Sequence, residues 1–342
     1  MLHLVTGGAG FLGCEVARAL HARGEKVRIL DTLAPPPLPS GIEVIRGDIL
    51  DSVSLEQAMQ GVGVVHHNAA LVPVTKAGPR FWQVNAEGTQ HALAAAARSG
   101  VGFFIYVSSS AVFGVPQACP ITDDTPPCPV EAYGRSKLQG ERHVEEFARN
   151  GLRCAIVRPR TIVGPGRLGI FKILYEWIRE GRRIYLIGGG DNRFQFVHAQ
   201  DVVGFILLLA ERRKSGSYNI GAEEFGTLRG DLSALIRHAG TSSRVTGTPA
   251  GLTVAALRIL NRLRLSPLGP YHYLVYPRPF YFDISRPMRE LGWKPRFSNV
   301  ESLVASYDWF LRHGDELSSG GMSSTHRRPV RQGLLRFLKR LS

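Results

Sequence analysis

The stretch Leu2–Gly13, LHLVTGGAGFLG, constrains this chain more than any other. A short apolar run (Leu2, Leu4, Val5) breaks at Thr6 into clustered glycines. Apolar residues then recur at Phe11, Leu12, Val16, Ala17 and Leu20. The pattern predicts a strand, a tight turn and the opening of a helix. The glycines read as Gly8-x-Gly10-x-x-Gly13 or as Gly7-x-x-Gly10-x-x-Gly13, and both serve the same physics. Glycine permits positive φ and close approach of the backbone to a pyrophosphate. The helix N-terminus adds unpaired N–H groups and a favourable dipole.

The rest of the chain decides what that turn is for. At 342 residues it is long enough for a large core in two lobes. Its 44% hydrophobic and 20% charged content is that of a globular protein. Cys14, Cys119, Cys128 and Cys154 have neither metal-ligand spacing nor a dense disulfide pattern, so no metal and a reducing cytoplasm are expected. The first apolar run is too short for a signal peptide, and none approaches the roughly 18 apolar residues of a spanning helix. The net charge of +14 asks for an anionic partner. From His326 to Ser342 there are six Lys/Arg and no acid, after a Ser/Gly-rich segment. Val330, Leu334, Phe337, Leu338 and Leu341 share one helical face, so residues 326–342 read as a helix lying on an anionic membrane surface; nucleic acid is not expected.

In order, Lys26–Asp31 reads as a second strand ending in an acid. Asp31 lies about 20 residues beyond the glycines, where a carboxylate takes both hydroxyls of an adenosine ribose. Thr32 and Leu33 follow, with no arginine to welcome a 2′-phosphate, which favours NAD over NADP. Ile42–Arg46 is a third strand ending in Gly47-Asp48-Ile49, with Asp48 and Ile49 placed to bracket an adenine. Ser52–Gln60 is helical, Gly63–His67 is a strand opening into Asn68-Ala69-Ala70, and Trp82–Ser99 is a long Ala-rich helix carrying Asn85. Phe103–Val107 runs into Ser108-Ser109-Ser110. Tyr133–Asn150 is helical, and Arg153–Arg158 is a strand stopped by Pro159. Alternation of this kind implies an α/β, Rossmann-type doubly wound parallel sheet. Beyond Pro165 it fails. Helices at Ile170–Glu180, Val202–Glu211, Leu228–Ala239 and Thr253–Leu263, with one short strand at Tyr218–Ile220, suggest a smaller, mostly helical C-terminal substrate lobe. The expected division is a dinucleotide-binding domain over 1–165 (with returning segments near 194–221), a substrate lobe over 166–193 and 222–318, and a basic tail over 319–342.

Tyr133 and Lys137 are four apart on a predicted helix, so both project from one face. A phenol titrates at about pH 10, and a nearby ammonium lowers that by favouring the phenolate. The pair therefore suits a general base that takes the proton of a substrate hydroxyl. A serine from the preceding strand end can steady the same oxygen, while a nicotinamide cofactor accepts a hydride from that carbon.

At this point the sequence resembles the extended short-chain dehydrogenase/reductases, the NAD-dependent epimerase/dehydratase family. The resemblance is carried by TGGAGFLG (Thr6–Gly13), Asp31, Gly47-Asp48-Ile49, HNAA (His67–Ala70), and Asn85 with Gly88-Thr89. It continues through VSSSAVFG (Val107–Gly114), YGRSK (Tyr133–Lys137), RPRTIVGPG (Arg158–Gly166), FVHAQDV (Phe196–Val202), SYNIG (Ser217–Gly221) and ISRPMRELGWKP (Ile284–Pro295), roughly residues 1–312. It implies that Ser109, Tyr133 and Lys137 are catalytic. It further implies that Gly7, Gly10, Phe11, Leu12, Gly13, Asp31, Asp48, Ile49, Ala69, Asn85, Ser108, Tyr133, Lys137 and Pro159 hold NAD. Ser110, Arg160, Arg167 and Arg193 are the candidate substrate contacts, the arginines for a diphosphate. Family members often dimerise through a four-helix bundle, for which Trp82–Ser99 and Tyr133–Asn150 are the candidates.

Two departures bear on substrate. Thr161 stands where nucleotide-sugar members carry an Asn, and Arg193 is displaced by one residue from their Arg-Asp-Phe. The RPxxIxGP form is similar to the 3β-hydroxysteroid dehydrogenase branch and to epimerases of lipid-linked sugars. The leading expectation is an NAD-dependent sugar epimerase, acting at C4 through a keto intermediate on a nucleotide-diphosphate or lipid-diphosphate sugar. The alternative is a 3β-hydroxysteroid-type dehydrogenase of a lipid or sterol alcohol. Ser109-Ser110-Ala111 lacks the acids of a dehydratase, and a pure dinucleotide sensor has no need of Ser109, Tyr133 and Lys137 together.

Overall fold

The computed structural model describes residues 1–73, 77–263 and 269–314; the basic segment 326–342 lies outside them. The first half alternates as the apolar runs require. It comprises β1 Leu2–Thr6, α1 Phe11–Ala22, β2 Lys26–Asp31, β3 Glu43–Arg46, α2 Ser52–Met59 and β4 Val64–His67. Next come α3 Arg80–Trp82, a π turn Gln83–Glu87, α4 Gly88–Arg98, β5 Phe103–Val107, a 3-10 turn Ser110–Phe113, α5 Ala132–Arg149 and β6 Cys154–Pro159. Then follow β7 Thr161–Val163, α6 Phe171–Arg179, β8 Ile184–Ile187, β9 Phe196–His198, α7 Ala199–Arg212 and β10 Gly216–Ile220. The chain closes with α8 Leu228–Ala239, β11 Val245–Thr248, α9 Ala250–Arg262, α10 Pro270–Val275, α11 Ser285–Leu291 and α12 Asn299–His313.

Seven strands form one sheet in the order β10-β6-β5-β4-β1-β2-β3, and every neighbouring pair is parallel. Both faces are covered. Val5, Val64, Phe103, Ile105 and Val107 enter one core, while Leu4, Val65, Phe104 and Tyr106 enter the other. Period-2 alternation between two apolar layers is what makes these strands read as continuous apolar runs. The strand order reverses direction between β1 and β4, so the crevice at their carboxyl ends is the topological switch point where ligands bind in doubly wound sheets.

Several boundaries and one helix differ from the sequence reading. β3 begins at Glu43, β4 at Val64, and β6 at Cys154. The helix expected over 82–99 starts at Arg80 and carries the π turn, because its backbone bonding slips by one residue around Asn85. The chain also contains two small parallel pairs, β7 with β9 and β8 with β11. Strands of three or four residues are too short for alternation to announce them. β10 returns to the edge of the main sheet, joining the last segment of the first lobe to the second. Helix α9 has no buried residue and exposes Leu252 and Ile259, with Leu263 exposed just beyond its end. Among the described residues no helix is long and apolar enough to cross a membrane.

Candidate active site

β1 ends at Thr6 and the chain turns through Gly7 at φ +68°. A Cβ there would lie 2.7 Å from the backbone of Ala69, and one at Gly13 would collide with the carbonyl of Gly7. Gly10 N–H closes the turn on the Gly7 carbonyl at 3.0 Å, and Cys14 N–H makes the first bond of α1 to Gly10. Of the two glycine readings, Gly7-Gly10-Gly13 carries the turn; Gly8 makes room for the Ile29 side chain. Gly7, Gly10, Phe11, Leu12 and Gly13 face a cleft of about 260 Å³, with the opening turn of α1 aimed into it.

Asp31 lies on the wall of that cleft. One carboxylate oxygen accepts from Ala9 N–H and the other from Leu33 N–H, both at 2.9 Å, so the glycine turn fixes the carboxylate. Asp48, Ile49 and Ala69 line the same cleft. β3 places Arg46 in register with Asp31, its guanidinium on the Thr32 carbonyl at 2.8 Å. Arg46 is brought beside Asp31 only by strand pairing, so the residues that follow Asp31 in sequence do not announce this cation.

Three expected cofactor contacts are placed elsewhere. Asn85 is fully buried: its amide accepts from Leu71 N–H (2.8 Å) and donates to the Leu71 carbonyl and Ser136 Oγ (3.0 Å each). It holds the loop that lines the cleft and lies behind it. The Ser108 hydroxyl donates to Glu141, whose carboxylate takes Arg158 bidentately at 2.7 and 2.9 Å, so it belongs to a buried network under the site. Pro159 lines the neighbouring cavity with Ser109, Ser110, Tyr133, Arg160 and Arg167.

Tyr133 and Lys137 sit in the first turns of α5 because Glu131 caps that helix, accepting from Tyr133 and Gly134 N–H at 2.8 and 2.7 Å. The sequence reading missed this cap, since glutamate is not among the usual N-cap residues. Tyr133 borders both cavities and Lys137 borders the cleft. Lys137 is 1% exposed, its ammonium 4.1 Å from the centre of the Tyr106 ring. The expectation that Lys137 lowers the tyrosine pKa does not hold in the protein alone. Burial dominates and pushes the Tyr133 phenol up to about 12, against the Ser109 hydrogen bond and the Arg167 charge, which favour the phenolate. Burial also brings Lys137 down to about 7, opposed by Glu141, so its own charge is weakened where it would act.

The four candidate substrate residues separate. Ser110 Oγ accepts from Arg160 Nη1 at 2.9 Å. Arg160 is 1% exposed and stacks over Phe280 at 3.9 Å and Phe194 at 4.8 Å. Its Nε and Nη2 are buried without a hydrogen-bond partner. Burial lowers its pKa, and that of Arg167 to about 10. Arg167 borders both the cleft and the inner cavity. Arg193 does not join them: it is exposed, stacked on Phe225 and Tyr281 at 4.6 and 4.7 Å.

The glycine cradle that admits no Cβ, the helix opening and the fixed Asp31 fit a dinucleotide. The family model described as NAD dependent epimerase/dehydratase family matches residues 3–221. The chain belongs to this family. It is an NAD-dependent enzyme. A Sinorhizobium fredii protein, "Uncharacterized protein y4nG", is 44% identical over 98% of this chain and 85% of its own length. A 3 beta-hydroxysteroid dehydrogenase/Delta 5-->4-isomerase of Mycobacterium tuberculosis is 30% identical over 90% of each chain. Among solved structures, the UDP-glucuronic acid 4-epimerase of Bacillus cereus, crystallised with UDP-glucuronic acid and NAD, superposes with a TM-score of 0.75 at 25% identity. That match covers 91% of the enzyme described here and 99% of the epimerase.

Proposed function

We propose that this enzyme inverts C4 of a sugar carried on a diphosphate, by transient oxidation of the C4 hydroxyl to a ketone. The observation that carries the reading is the shared cavity in which Ser109 and Tyr133 meet two arginines, the buried Arg160 and the half-buried Arg167. An alcohol-oxidising pair beside cations suits a hydroxyl on a molecule that also bears an anion. Gly7, Gly10, Gly13 and the first turn of α1 would hold the cofactor diphosphate, Asp31 the adenosine ribose, and Lys137 the nicotinamide ribose. When bound, NAD supplies the two-electron chemistry, taking a hydride from the carbinol carbon and returning it. Tyr133 Oη takes the hydroxyl proton and later gives it back, as a general base and then acid. Ser109 Oγ holds the same oxygen through the cycle. Arg160 and Arg167 hold the diphosphate while the keto sugar turns to present its other face.

A second reading has its own support: the sequence similarity to a hydroxysteroid dehydrogenase and an apolar cavity beside the site favour oxidation of a lipid alcohol with net NADH release. Incubation with diphosphate-linked hexoses and with 3β-hydroxysterols separates them. Inverted sugar without net NADH supports the first, and stoichiometric NADH with a sterol supports the second. The same reading pairs two copies through the helices over 80–98 and 132–149, for which light scattering should give twice the chain mass.

A further inference from the structure

The cavity containing Ser109, Tyr133 and Arg160 does not end at the arginine. Ile170, Phe171, His272 and Tyr276 border both it and a second cavity of about 230 Å³. The two spaces therefore meet across shared walls, and their chemistry is opposite.

At the inner end the walls are cationic. Arg160 is buried against aromatic rings, bonded only to hydroxyls, and two of its three nitrogens lack a partner. Among the described residues no carboxylate pairs with it. A buried guanidinium without a counter-ion is costly, and an anionic ligand group relieves that cost. At the outer end the walls come from α6, β8, β9, α8 and α10, including Leu174, Trp177, Leu186, Phe196 and Leu232. Among the described residues that border it none is Asp, Glu, Lys, Arg, Asn, Gln, Ser or Thr, and its side-chain polar atoms are only those of Trp177, Tyr185, His272 and Tyr276. A nucleoside brings base edges and ribose hydroxyls that would lose their water partners there. A hydrocarbon chain brings only surface that gains by leaving water.

We propose that the substrate is amphipathic: a sugar joined through phosphate to a hydrocarbon chain, not to a nucleoside. The phosphate lies on Arg160 and Arg167, the chain runs into the apolar cavity, and the sugar hydroxyl reaches Ser109 and Tyr133. This rests on the epimerase reading of the site, so its test is a binding measurement that needs no turnover.

Full-length protein loaded with NAD is titrated calorimetrically with farnesyl diphosphate, with UDP and with a neutral 3β-hydroxysterol. Farnesyl diphosphate is expected to bind at least about tenfold tighter than either of the others. Leu174 and Ile187 line the apolar cavity and are half-buried, so a carboxylate can replace each in the folded protein. Leu174→Asp and Ile187→Asp should each weaken farnesyl diphosphate about tenfold or more while leaving UDP and NAD affinity within about twofold. Should one variant fail to fold, the other still decides. UDP binding as tightly as farnesyl diphosphate overturns the proposal, as does a sterol binding more tightly, or farnesyl diphosphate affinity that survives the folded variants. A lack of sugar inversion in a turnover assay would remove the epimerase reading and leave these affinities standing.

Discussion

At the scale of single residues, Tyr133 is held between opposing forces. Burial favours the neutral phenol, and the Ser109 hydrogen bond with the Arg167 charge favours the phenolate. If the phenolate is the base, Tyr133→Phe should lower turnover by about 10²–10⁴-fold, the usual worth of a positioned general base. NAD affinity should be unchanged, because the glycine turn and Asp31 are untouched; turnover within a few-fold of the parent would refute the assignment. Gly13→Ala tests the cradle. Its new Cβ meets the Gly7 carbonyl, so NAD affinity should fall at least about tenfold in fluorescence titrations. Tyr133, Lys137 and the glycines were legible because their spacing is local. Arg160 was visible only as a cation near a strand end. Its isolation on Phe194 and Phe280 depends on residues far along the chain, which no local pattern joins.

At the scale of elements, the site is held by buried polar joints that tie helices to loops. Asn85, in the π turn between α3 and α4, satisfies both backbone groups of Leu71. Removing the amide leaves a half-buried donor and acceptor without partners, each loss worth up to about 1–3 kcal/mol. Asn85→Ala should therefore lower stability in denaturant melts and weaken NAD binding through the loosened 69–73 loop. A variant that melts like the parent would show that water replaces the amide. Glu141 links Ser108 on the strand side to Arg158 on β6. Glu141→Gln leaves Arg158 without its counter-ion and should cost about 3–5 kcal/mol. Urea melts measure that loss directly; a loss below about 1 kcal/mol would mean that the pair is solvated. The strands of the main sheet could be read ahead of the structure because two apolar layers enclose them. The π turn could not, since a one-residue slip in helical bonding leaves the apolar pattern nearly intact.

For the whole molecule, the sheet centre carries histidines that make the fold acid-sensitive. His66 and His67 on β4 are fully buried, and burial lowers both pKa values from 6.5 to about 3. His66 contacts His3 at 3.0 Å, and His67 is bonded to Thr6 and Thr89. The unfolded chain binds protons at these sites below about pH 6.5 while the folded chain does not, so stability rises with pH between about 3 and 6.5. Each histidine contributes a slope of up to about 1.4 kcal/mol per pH unit. Urea melts at pH 5 should give a free energy of unfolding at least about 2 kcal/mol below that at pH 7. Equal values would mean that these imidazoles titrate normally. The parallel, doubly wound order was legible as a whole because strand and helix alternate through residue 159, save between β2 and β3. The later part of the chain was not, because short strands pair across long sequence separations, β8 with β11 and β7 with β9.

In the proposed reaction an NAD-dependent oxidation, with Tyr133 as base, is reversed within one turnover on a phosphate-linked sugar. Its most direct measurement follows hexoses linked through diphosphate to an isoprenyl chain or to UDP, with NADH absorbance and the configuration at C4 read in the same sample. Inversion at C4 with no accumulation of NADH is expected, abolished in Tyr133→Phe. Accumulation of NADH in step with an oxidised product, with C4 never inverted, would contradict it.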